Sequence, residues 1–421
     1  VMLSPVSSAA PAPLPTRCLF KLQGQALLEN SPLPWILGIL DMDDFREINE
    51  LEGPSVGDAI LQTLTEVLSH KQGLWARTGG DSFGLLIQAS AEEIETLSAD
   101  LLEQVRTTVK ALTPRPVTAS LGWASRPVDA LAFEDLFLCA ETALLSAKAA
   151  GKATARTYTG AIAQKALRSR EVRQNFALAI ASGDIRFFLQ PQGNLRTHKV
   201  DGAEMLVRWR MPDGRLRFPG KFMPTVEENT PLIRGLGVLG LQEAARLRAK
   251  AGQSYRFSLN IGARHLLHPD FLNDVAGCCP DGTGITLEIT ESAPLVDVRR
   301  AERVLTELRT RGFWISLDDF GTGFSSLQHV AQLPLDEIKL DRAFLQNIRQ
   351  SARSRAVVSA IQTLAWEADI SLIAEGVSSH HALKRWEALK GERIQGFHLA
   401  PALPEEAFFT WAPWLMRAPQ G

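Results

Sequence analysis

The first part of the chain alternates apolar runs with amphipathic segments of helical period. Short apolar runs predict buried strands, and apolar residues spaced three and four apart predict helices packed on them. The turn Gly79-Gly80-Asp81 lies between two strand-like segments and predicts a hairpin. We therefore predict an α+β sandwich over residues 17–159, preceded by a Ser/Ala/Pro-rich linker over residues 1–16. The predicted strands are Trp35–Met42, Leu74–Thr78, Ser82–Gln88 and Val117–Ala124, and the predicted helices are Val56–Leu68, Ala91–Leu112 and Phe133–Ala150, the last ended by Gly151.

The second part of the chain has a more regular pattern. A helical connector over residues 160–182 leads into eight short strand-like segments separated by helical stretches. Eight strands in alternation with helices predict a (β/α)8 barrel, which we assign to residues 183–415. The predicted barrel strands are Ile185–Gln190, Ala203–Trp209, Arg256–Ile261, Ile285–Glu291, Trp314–Asp319, Glu337–Asp341, Ser371–Val377 and Arg393–Phe397.

Composition excludes several classes of protein. The chain is 45% hydrophobic and 22% charged, as in ordinary globular proteins, and its formal net charge of -2 gives no global field toward nucleic acid or membrane. No apolar run reaches the roughly 18 residues that span a bilayer, and no secretory signal is visible. The four cysteines match neither a zinc site nor a disulfide framework. We expect a cytoplasmic protein, and the start at Val1 favours a fragment whose sensor or membrane anchor lies upstream.

Polar residues stand at the carboxyl ends of the predicted barrel strands, where barrels of this type carry their chemistry. Each alone would be a solvated strand end or an ion-pair partner, but one at nearly every strand predicts a site. Carboxylate and amide oxygens suit Mg²⁺ or Mn²⁺, and paired acids could hold two metals that clamp a phosphoryl displacement. The residue types therefore predict metal-assisted phosphoester hydrolysis. The residues at these ends, together with Glu204 and Arg208 carried within the second strand, are Gln190, Asn260, Glu288, Glu291, Asp318, Asp319, Lys339, Asp341, Glu375 and Gln395.

The segment Trp314–Leu327 is the most informative of these strand ends. Its apolar run ends in two adjacent acids, Asp318 and Asp319, and then breaks at Gly321 and Gly323. Two neighbouring carboxylates repel each other unless a cation holds them, and the glycines let the backbone turn sharply beside them. An ordinary acidic turn would explain one such pair, but not its recurrence along the second half.

These motifs resemble the EAL-domain cyclic di-GMP phosphodiesterases over about residues 167–415. The resemblance rests on Glu204-Met205-Leu206, Leu287–Ser292, Asp318–Gly323, Ile338–Asp341, Ala374–Val377 and Gln395–Phe397. It implies five metal ligands: Glu204, Asn260, Glu288, Asp318 and Asp319. It also implies that Lys339 and Glu375 position or deprotonate the attacking water, that Asp341 assists at the metal site, and that Glu291 holds the loop from Asp319 to Leu327. Gln190, Leu206, Arg208 and Gln395 would bind the dinucleotide. Gly262 and Pro401-Ala402 are minor departures that remove no ligand.

The first part of the chain resembles a GGDEF (diguanylate cyclase) domain, with Gly79-Gly80-Asp81-Ser82-Phe83 as its signature. The resemblance implies GTP binding through Asp41, Asn49, Asp58, Gly79, Gly80, Asp81 and Lys148. Four departures matter: Ser82 replaces the second acid of the signature, residues 12–17 lack the usual opening motif, Glu141 and Leu145 replace an Asp and a Tyr, and residues 70–73 lack the inhibitory Arg-x-x-Asp site. These departures predict an inactive cyclase that still binds GTP as a regulator.

The sequence therefore predicts a cyclic di-GMP phosphodiesterase that yields linear pGpG, depends on Mg²⁺ or Mn²⁺, and carries a degenerate GGDEF domain. The alternative is a non-catalytic receptor that binds cyclic di-GMP and signals to a protein partner, although a receptor needs no water-activating residues such as Lys339 and Glu375. A third possibility, an active cyclase and hydrolase in one chain, conflicts with Ser82. Homodimerisation is an expectation from the resemblance alone, and the absence of a basic patch argues against nucleic acid.

Overall fold

The computed structural model describes residues 14–31, 34–252, 254–290, 297–320, 330–347 and 352–411. The chain divides into two compact units, Val1–Arg168 and Ser169–Gly421. None of the helices in these ranges is long and apolar enough to cross a membrane.

The first unit is a five-stranded sheet between two layers of helices. The strand order is β2-β3-β1-β4-β5, with β1 antiparallel to both β3 and β4, and with β5 parallel to β4. One face of the sheet packs against α2, α3 and α4, and the other against α1 and α5. In chain order the elements are α1 (Arg17–Asn30), β1 (Trp35–Met42), α2 (Phe45–Glu52), α3 (Pro54–Ser69), β2 (Leu74–Arg77), β3 (Ser82–Ile87), α4 (Ile94–Val109), β4 (Ala119–Arg126), α5 (Phe133–Ala149) and β5 (Ala155–Thr157).

The predicted strands and helices of this unit agree with the structure to within a few residues. The hairpin of β2 and β3 forms at the predicted turn, and Gly151 follows α5 with a φ of 113°. Sequence analysis missed three elements of this unit: α1, α2, whose amphipathic turns directly follow β1, and the short strand β5. Helix α6 (Gly160–Ala181) forms where the connector was predicted. Its last turns belong to the second unit, within which Phe176 packs against Trp209 and Phe222.

The second unit is a barrel. Its sheet has the order β6-β14-β13-β12-β11-β10-β9-β7-β8, and an additional pairing of β6 with β7 closes eight of these strands into a ring. Its strands are β6 (Ile185–Asn194), β7 (Lys199–Arg210), β8 (Leu216–Arg217), β9 (Arg256–Asn260), β10 (Ile285–Thr290), β11 (Trp314–Phe320), β12 (Glu337–Leu340), β13 (Ser371–Ala374) and β14 (Arg393–Gln395). Its helices after α6 are α7 (Met223–Glu227), α8 (Thr230–Ala251), α9 (Ala263–Leu266), α10 (Phe271–Cys278), α11 (Val298–Thr310), α12 (Arg342–Asn347), α13 (Ala352–Glu367), α14 (His380–Ala388) and α15 (Glu405–Trp411).

The barrel prediction is confirmed, with one correction at its first strand. β6 runs antiparallel to both of its neighbours, β7 and β14, and a tight hairpin rather than a helix joins it to β7. Gln190 therefore does not end its strand as predicted: it lies within β6 and is paired directly opposite Glu204 of β7. Sequence analysis did not predict the antiparallel direction of β6 because an apolar run has the same pattern in parallel and antiparallel strands.

The strands of the barrel separate apolar from polar residues by simple alternation. Leu287, Ile315 and Ile338 belong to the main hydrophobic core, on the outer side of the strands. The alternate residues Glu288, Ser316 and Lys339 are equally buried, but they are polar and share the inner side. The polar residues of the predicted site therefore project into the barrel because their strands alternate.

We expect Gly122→Ala to destabilise the first unit. A methyl group at position 122 of β4 would lie 2.2 Å from the carbonyl oxygen of Ala140 and 2.2 Å from the backbone nitrogen of Leu144, both in α5. Backbone atoms cannot yield as side chains do, so we expect a loss of about 3 kcal/mol in the free energy of unfolding. Calorimetric unfolding of the whole chain measures it. Gly80→Ala, where a methyl group meets nothing within 4 Å, is the control; equal unfolding of both variants would contradict the expectation.

Candidate active site

The centre of the candidate active site is a buried lysine. Lys339, fully buried on β12, places its Nζ 2.7 to 3.2 Å from one oxygen of each of four carboxylates. Single ion pairs hold one charge against one, whereas here a single ammonium faces four carboxylates that repel one another. The four carboxylates belong to Glu204, Glu288, Asp318 and Glu375.

Amide side chains complete the inner wall of the site. Asn260, which ends β9, donates its Nδ2 to Glu204 at 2.8 Å and to Glu288 at 3.3 Å. Gln395, which ends β14, donates its Nε2 to Glu204 at 2.5 Å and to Gln190 at 3.2 Å. Gln192, which the sequence analysis did not single out, donates to the Oε1 of Gln395 at 2.9 Å and fixes the orientation of that amide. The two-residue spacing from Gln190 was the signal that could have found it.

A bulge brings the two adjacent aspartates to the same site. On a regular strand Asp318 and Asp319 would point to opposite faces, but the register of β11 against β12 shifts between Leu317 and Phe320. Asp319 takes a left-handed φ of 55°, which Asp tolerates better than most residues, and its backbone N–H donates to the Oδ1 of Asp318 at 3.0 Å. Oxygens of Asp318, Asp319 and Glu375 consequently lie within 4.8 Å of one another.

The charges of this cluster do not balance, and the pKa values reflect it. Burial opposes ionisation of Glu204, but Lys339 and hydrogen bonds from Gln395 and Asn260 overcome it and lower the pKa of Glu204. Burial and the neighbouring Glu204 raise the pKa of Glu288 well above its ordinary value. Burial, with Asp318 and Glu204 nearby, raises the pKa of Glu375 to about 8. The surrounding carboxylates outweigh burial at Lys339 and raise its pKa, so it stays charged.

The residues of the cluster fit a divalent cation. Oxygens of Glu204, Glu288 and Asp318 lie within 4.8 Å of one another, and a second such group is formed by Asp318, Asp319 and Glu375. The Oε1 of Glu288 is buried and has no hydrogen-bond partner among the described residues. An all-oxygen set with an unsatisfied carboxylate oxygen suits a hard cation such as Mg²⁺ or Mn²⁺. The cluster could therefore hold a metal ion.

The other predicted site residues are placed as follows. Glu204, Leu206 and Arg208 alternate along β7 and share the face that carries the cluster. Asp341 lies just beyond β12, half-buried, where its Oδ1 accepts a hydrogen bond from the backbone of Ala343. Asp341 also contributes, after burial and Asp318, to a raised pKa of Asp319. The predictions for Glu291 and for the rest of the loop after Phe320 concern residues 291–296 and 321–329, outside the described residues.

The predicted nucleotide site of the first unit is arranged differently. Asp41, at the end of β1, accepts a hydrogen bond from Ser82 at 2.6 Å and forms an ion pair with Lys148. Both of its oxygens are therefore engaged by donors of the chain itself. Burial and the neighbouring Asp41 raise the pKa of Asp81. In the part of the chain that the structure describes, no group of three clustered metal-ligating side chains occurs in this unit.

The remaining predicted GTP contacts flank this group. Gly79 and Gly80 form the exposed turn between β2 and β3, and a methyl group at Gly80 would meet nothing within 4 Å. Asn49 on α2 touches α3 so closely that a methyl group at Gly57 would lie 1.9 Å from its Oδ1. Asp58 is exposed on α3. The turn at Gly79 and Gly80 is therefore open to solvent.

Comparisons with known proteins agree with this architecture. Residues 12–154 match the family described as "Diguanylate cyclase, GGDEF domain", and residues 173–402 match the family described as "EAL domain". The signalling protein YkoW of Bacillus subtilis is 31% identical over 391 residues, covering 89% of this chain and 48% of YkoW. The cyclic di-GMP phosphodiesterase PdeR of Escherichia coli is 30% identical over 392 residues, covering 88% of this chain and 58% of PdeR. The chain thus spans about half the length of these curated relatives.

Solved structures resemble the second unit. The PaMucR phosphodiesterase in complex with cyclic di-GMP is similar with a TM-score of 0.52 and 30% identity, covering 56% of this chain and 99% of that one. The chain is therefore similar, in both fold and sequence, to a phosphodiesterase whose structure was solved with cyclic di-GMP bound.

We expect Lys339→Met to destabilise the metal-free second unit. Methionine keeps the length of the side chain but leaves four buried carboxylates without their shared cation, and breaking a buried ion pair costs about 3–5 kcal/mol. Thermal unfolding in a chelator measures the loss, and added Mg²⁺ should restore more stability to the variant than to the natural chain. Lys384→Met, at an exposed lysine on α14, is the control. A variant as stable as this control would contradict the central role of Lys339.

Proposed function

Because this chain belongs to the family of tandem GGDEF–EAL proteins, we propose that its barrel hydrolyses cyclic di-GMP to linear pGpG. The observation that carries the proposal is the cluster of four carboxylates around Lys339, with the unpartnered Oε1 of Glu288 among them. A protein that only binds a dinucleotide gains nothing from so many mutually repelling buried acids. Relatives described as phosphodiesterases support the same reading.

The positions of the residues support a proposed role for each. Glu204, Asn260, Glu288, Asp318 and Asp319 would hold one or two Mg²⁺ or Mn²⁺ ions. Such ions, when bound, polarise the phosphoryl group and lower the pKa of water. Gln190, Leu206, Arg208 and Gln395 line the face beside the cluster and would bind and orient the dinucleotide.

Proton transfer falls to the pair of Glu375 and Lys339. The Oε1 of Glu375 lies 2.7 Å from the Nζ of Lys339, and the pKa of Glu375, raised to about 8, lets it gain and lose a proton near neutral pH. In the proposed reaction the water oxygen bonds to phosphorus, the bond from phosphorus to the 3′ oxygen breaks, and that oxygen leaves as an alcohol. Glu375 would take a proton from the water and pass it to the leaving 3′ oxygen, while Lys339 would hold the carboxylate of Glu375 in place and Asp341 would assist beside Asp319.

The first unit would act as a regulator rather than as a cyclase. Ser82 places a hydrogen-bond donor where the family signature has an acid, and it binds Asp41 instead of adding charge for a metal. The open turn at Gly79 and Gly80 and the retained Asn49, Asp58 and Lys148 support nucleotide binding. We infer that this unit binds GTP without converting it and modulates hydrolysis by the barrel.

We expect Glu204→Gln to abolish most hydrolysis. The amide keeps the size of the side chain and removes the carboxylate that the cluster offers to a cation, so turnover should fall by about 100-fold or more while the chain stays folded. Incubation of the whole chain with cyclic di-GMP and Mg²⁺ or Mn²⁺, followed by chromatography of pGpG, measures it. Glu405→Gln, at a surface ion pair, is the control. A folded natural chain that binds cyclic di-GMP without hydrolysing it would instead be a receptor.

We expect GTP to stimulate hydrolysis of cyclic di-GMP by about fivefold, a coupling free energy of about 1 kcal/mol. The same chromatographic assay with added GTP measures the effect and should show no cyclic di-GMP formed from GTP. Lys148→Ala should abolish the stimulation, since Lys148 is the cation beside Asp41, whereas Lys71→Ala, at an exposed lysine of the same unit, should retain it. Hydrolysis indifferent to GTP, with no GTP binding by calorimetry, would remove the regulatory role.

A further inference from the structure

The hairpin of β6 and β7 extends the active-site face beyond the acid cluster. Residues directly opposite each other on antiparallel strands share a face, and the pairs here are Gln190 with Glu204, Phe188 with Leu206, and Arg186 with Arg208. From Glu204 toward the outer end of the hairpin, this face therefore carries first an acid, then two apolar residues, and then two arginines. Glu204 and Arg208 are four residues apart, which is about 13 Å along an extended strand.

Arg208 is a buried cation without a carboxylate partner. Its exposed fraction is 9%, and in the described part of the chain it makes no ion pair. Its Nη1 donates to the backbone oxygen of Val207 at 2.8 Å, and its guanidinium lies 4.9 Å from the ring of Phe218 and 5.6 Å from that of Phe188. The two rings fix the position of the guanidinium without neutralising its charge. Burying an unneutralised charge is costly, and an anion on this face would offset that cost.

Arg186 adds a second positive charge directly opposite. Its side chain is exposed and forms no ion pair among the described residues, although its charge adds to the hydrogen bonds from Ser182 and Arg210 that lower the pKa of Asp184. The next arginine along the hairpin, Arg210, is by contrast held by both its Nε and Nη2 on the Oδ1 of Asp184, at 3.1 and 2.8 Å. Like charges directly opposite on paired strands destabilise a sheet. Arg186 and Arg208 thus lie opposite each other without an ion-pair partner among the described residues, whereas the neighbouring Arg210 has one.

We propose that Arg186 is a further substrate-binding residue, which completes with Arg208 a two-guanidinium site for the second phosphodiester of the dinucleotide, the one that is not cleaved. The proposal rests on the proposed function, because a cyclic dinucleotide carries two phosphodiesters and the acid cluster takes one of them. Guanidinium groups bind phosphate oxygens in a planar fork, and an anion between the two arginines removes their mutual repulsion. The exposed ring of Phe218 borders this site and supplies an apolar wall beside it.

Steady-state kinetics of the whole chain test the proposal. Arg186→Gln should raise the KM for cyclic di-GMP about tenfold and leave kcat within about twofold, because the contact is made equally in the ground and transition states. The KM should also depend less on salt, since one charge contact is lost. Arg196→Gln is the matched control: it removes the same charge from an exposed arginine in the turn at the opposite end of the same hairpin. If one phosphate bridges both arginines, the losses in Arg186→Gln and Arg208→Gln should be clearly non-additive in the double variant.

Equilibrium binding of cyclic di-GMP by calorimetry separates the two proposals. If the natural chain binds the dinucleotide without hydrolysing it, and Arg186→Gln weakens that binding about tenfold, the phosphate site stands and the proposed hydrolysis does not. If the natural chain hydrolyses cyclic di-GMP and Arg186→Gln matches Arg196→Gln in KM, affinity and salt dependence, the role of Arg186 is overturned and the hydrolase remains. A natural chain that neither binds nor hydrolyses the dinucleotide overturns both.

Discussion

The second unit depends on one buried ammonium among carboxylates. Lys339 can neutralise one negative charge, and four carboxylates touch it, so the excess must be met by protons or by divalent cations. Lys339 and its neighbours overcome burial and lower the pKa of Glu204, whereas burial and the charge of Glu204 raise the pKa of Glu288. The barrel is therefore organised around a buried cluster that contains more carboxylates than its one lysine can neutralise.

This arrangement is possible because the barrel keeps its hydrophobic and chemical functions on opposite sides of the same strands. Many barrels fill their interior with branched apolar side chains. Here the interior is polar below the active site as well: Glu337 is buried between Arg393 and Ser316, one inward position before Lys339. The apolar residues that stabilise the unit lie outside the ring, under the helices. A strand that slipped by one residue would exchange its inner and outer faces, and it would lose both its apolar packing under the helices and its polar residues inside the barrel.

Much of this could be predicted from sequence, for identifiable reasons. Apolar runs and strand-end acids predicted the eight barrel strands, because burial and side-chain alternation are local properties. The antiparallel direction of β6 was not predicted because an apolar run does not record the direction of its strand, and the bulge at Asp319 was not predicted because it depends on how β11 pairs with β12. The bond from Ser82 to Asp41 was not predicted because it joins residues of two separate strands. Gln192 was overlooked for the same reason: its value lies in orienting Gln395, 203 positions away. The motifs therefore predicted which residues come together, whereas their orientations and hydrogen bonds are known only from the structure.

The position of β6 also sets the order in which the two units can fold on the ribosome. In the first unit every strand partner is present once Thr157 has emerged, so that sheet can form early. In the second unit β6 needs β14, and the ring cannot close until Gln395 has been synthesised. Contacts across so long a stretch of chain form slowly, and the polar interior with its mutually repelling acids stays open to solvent until then. The emergence of β14, rather than of any single motif, is thus the step that lets the barrel close.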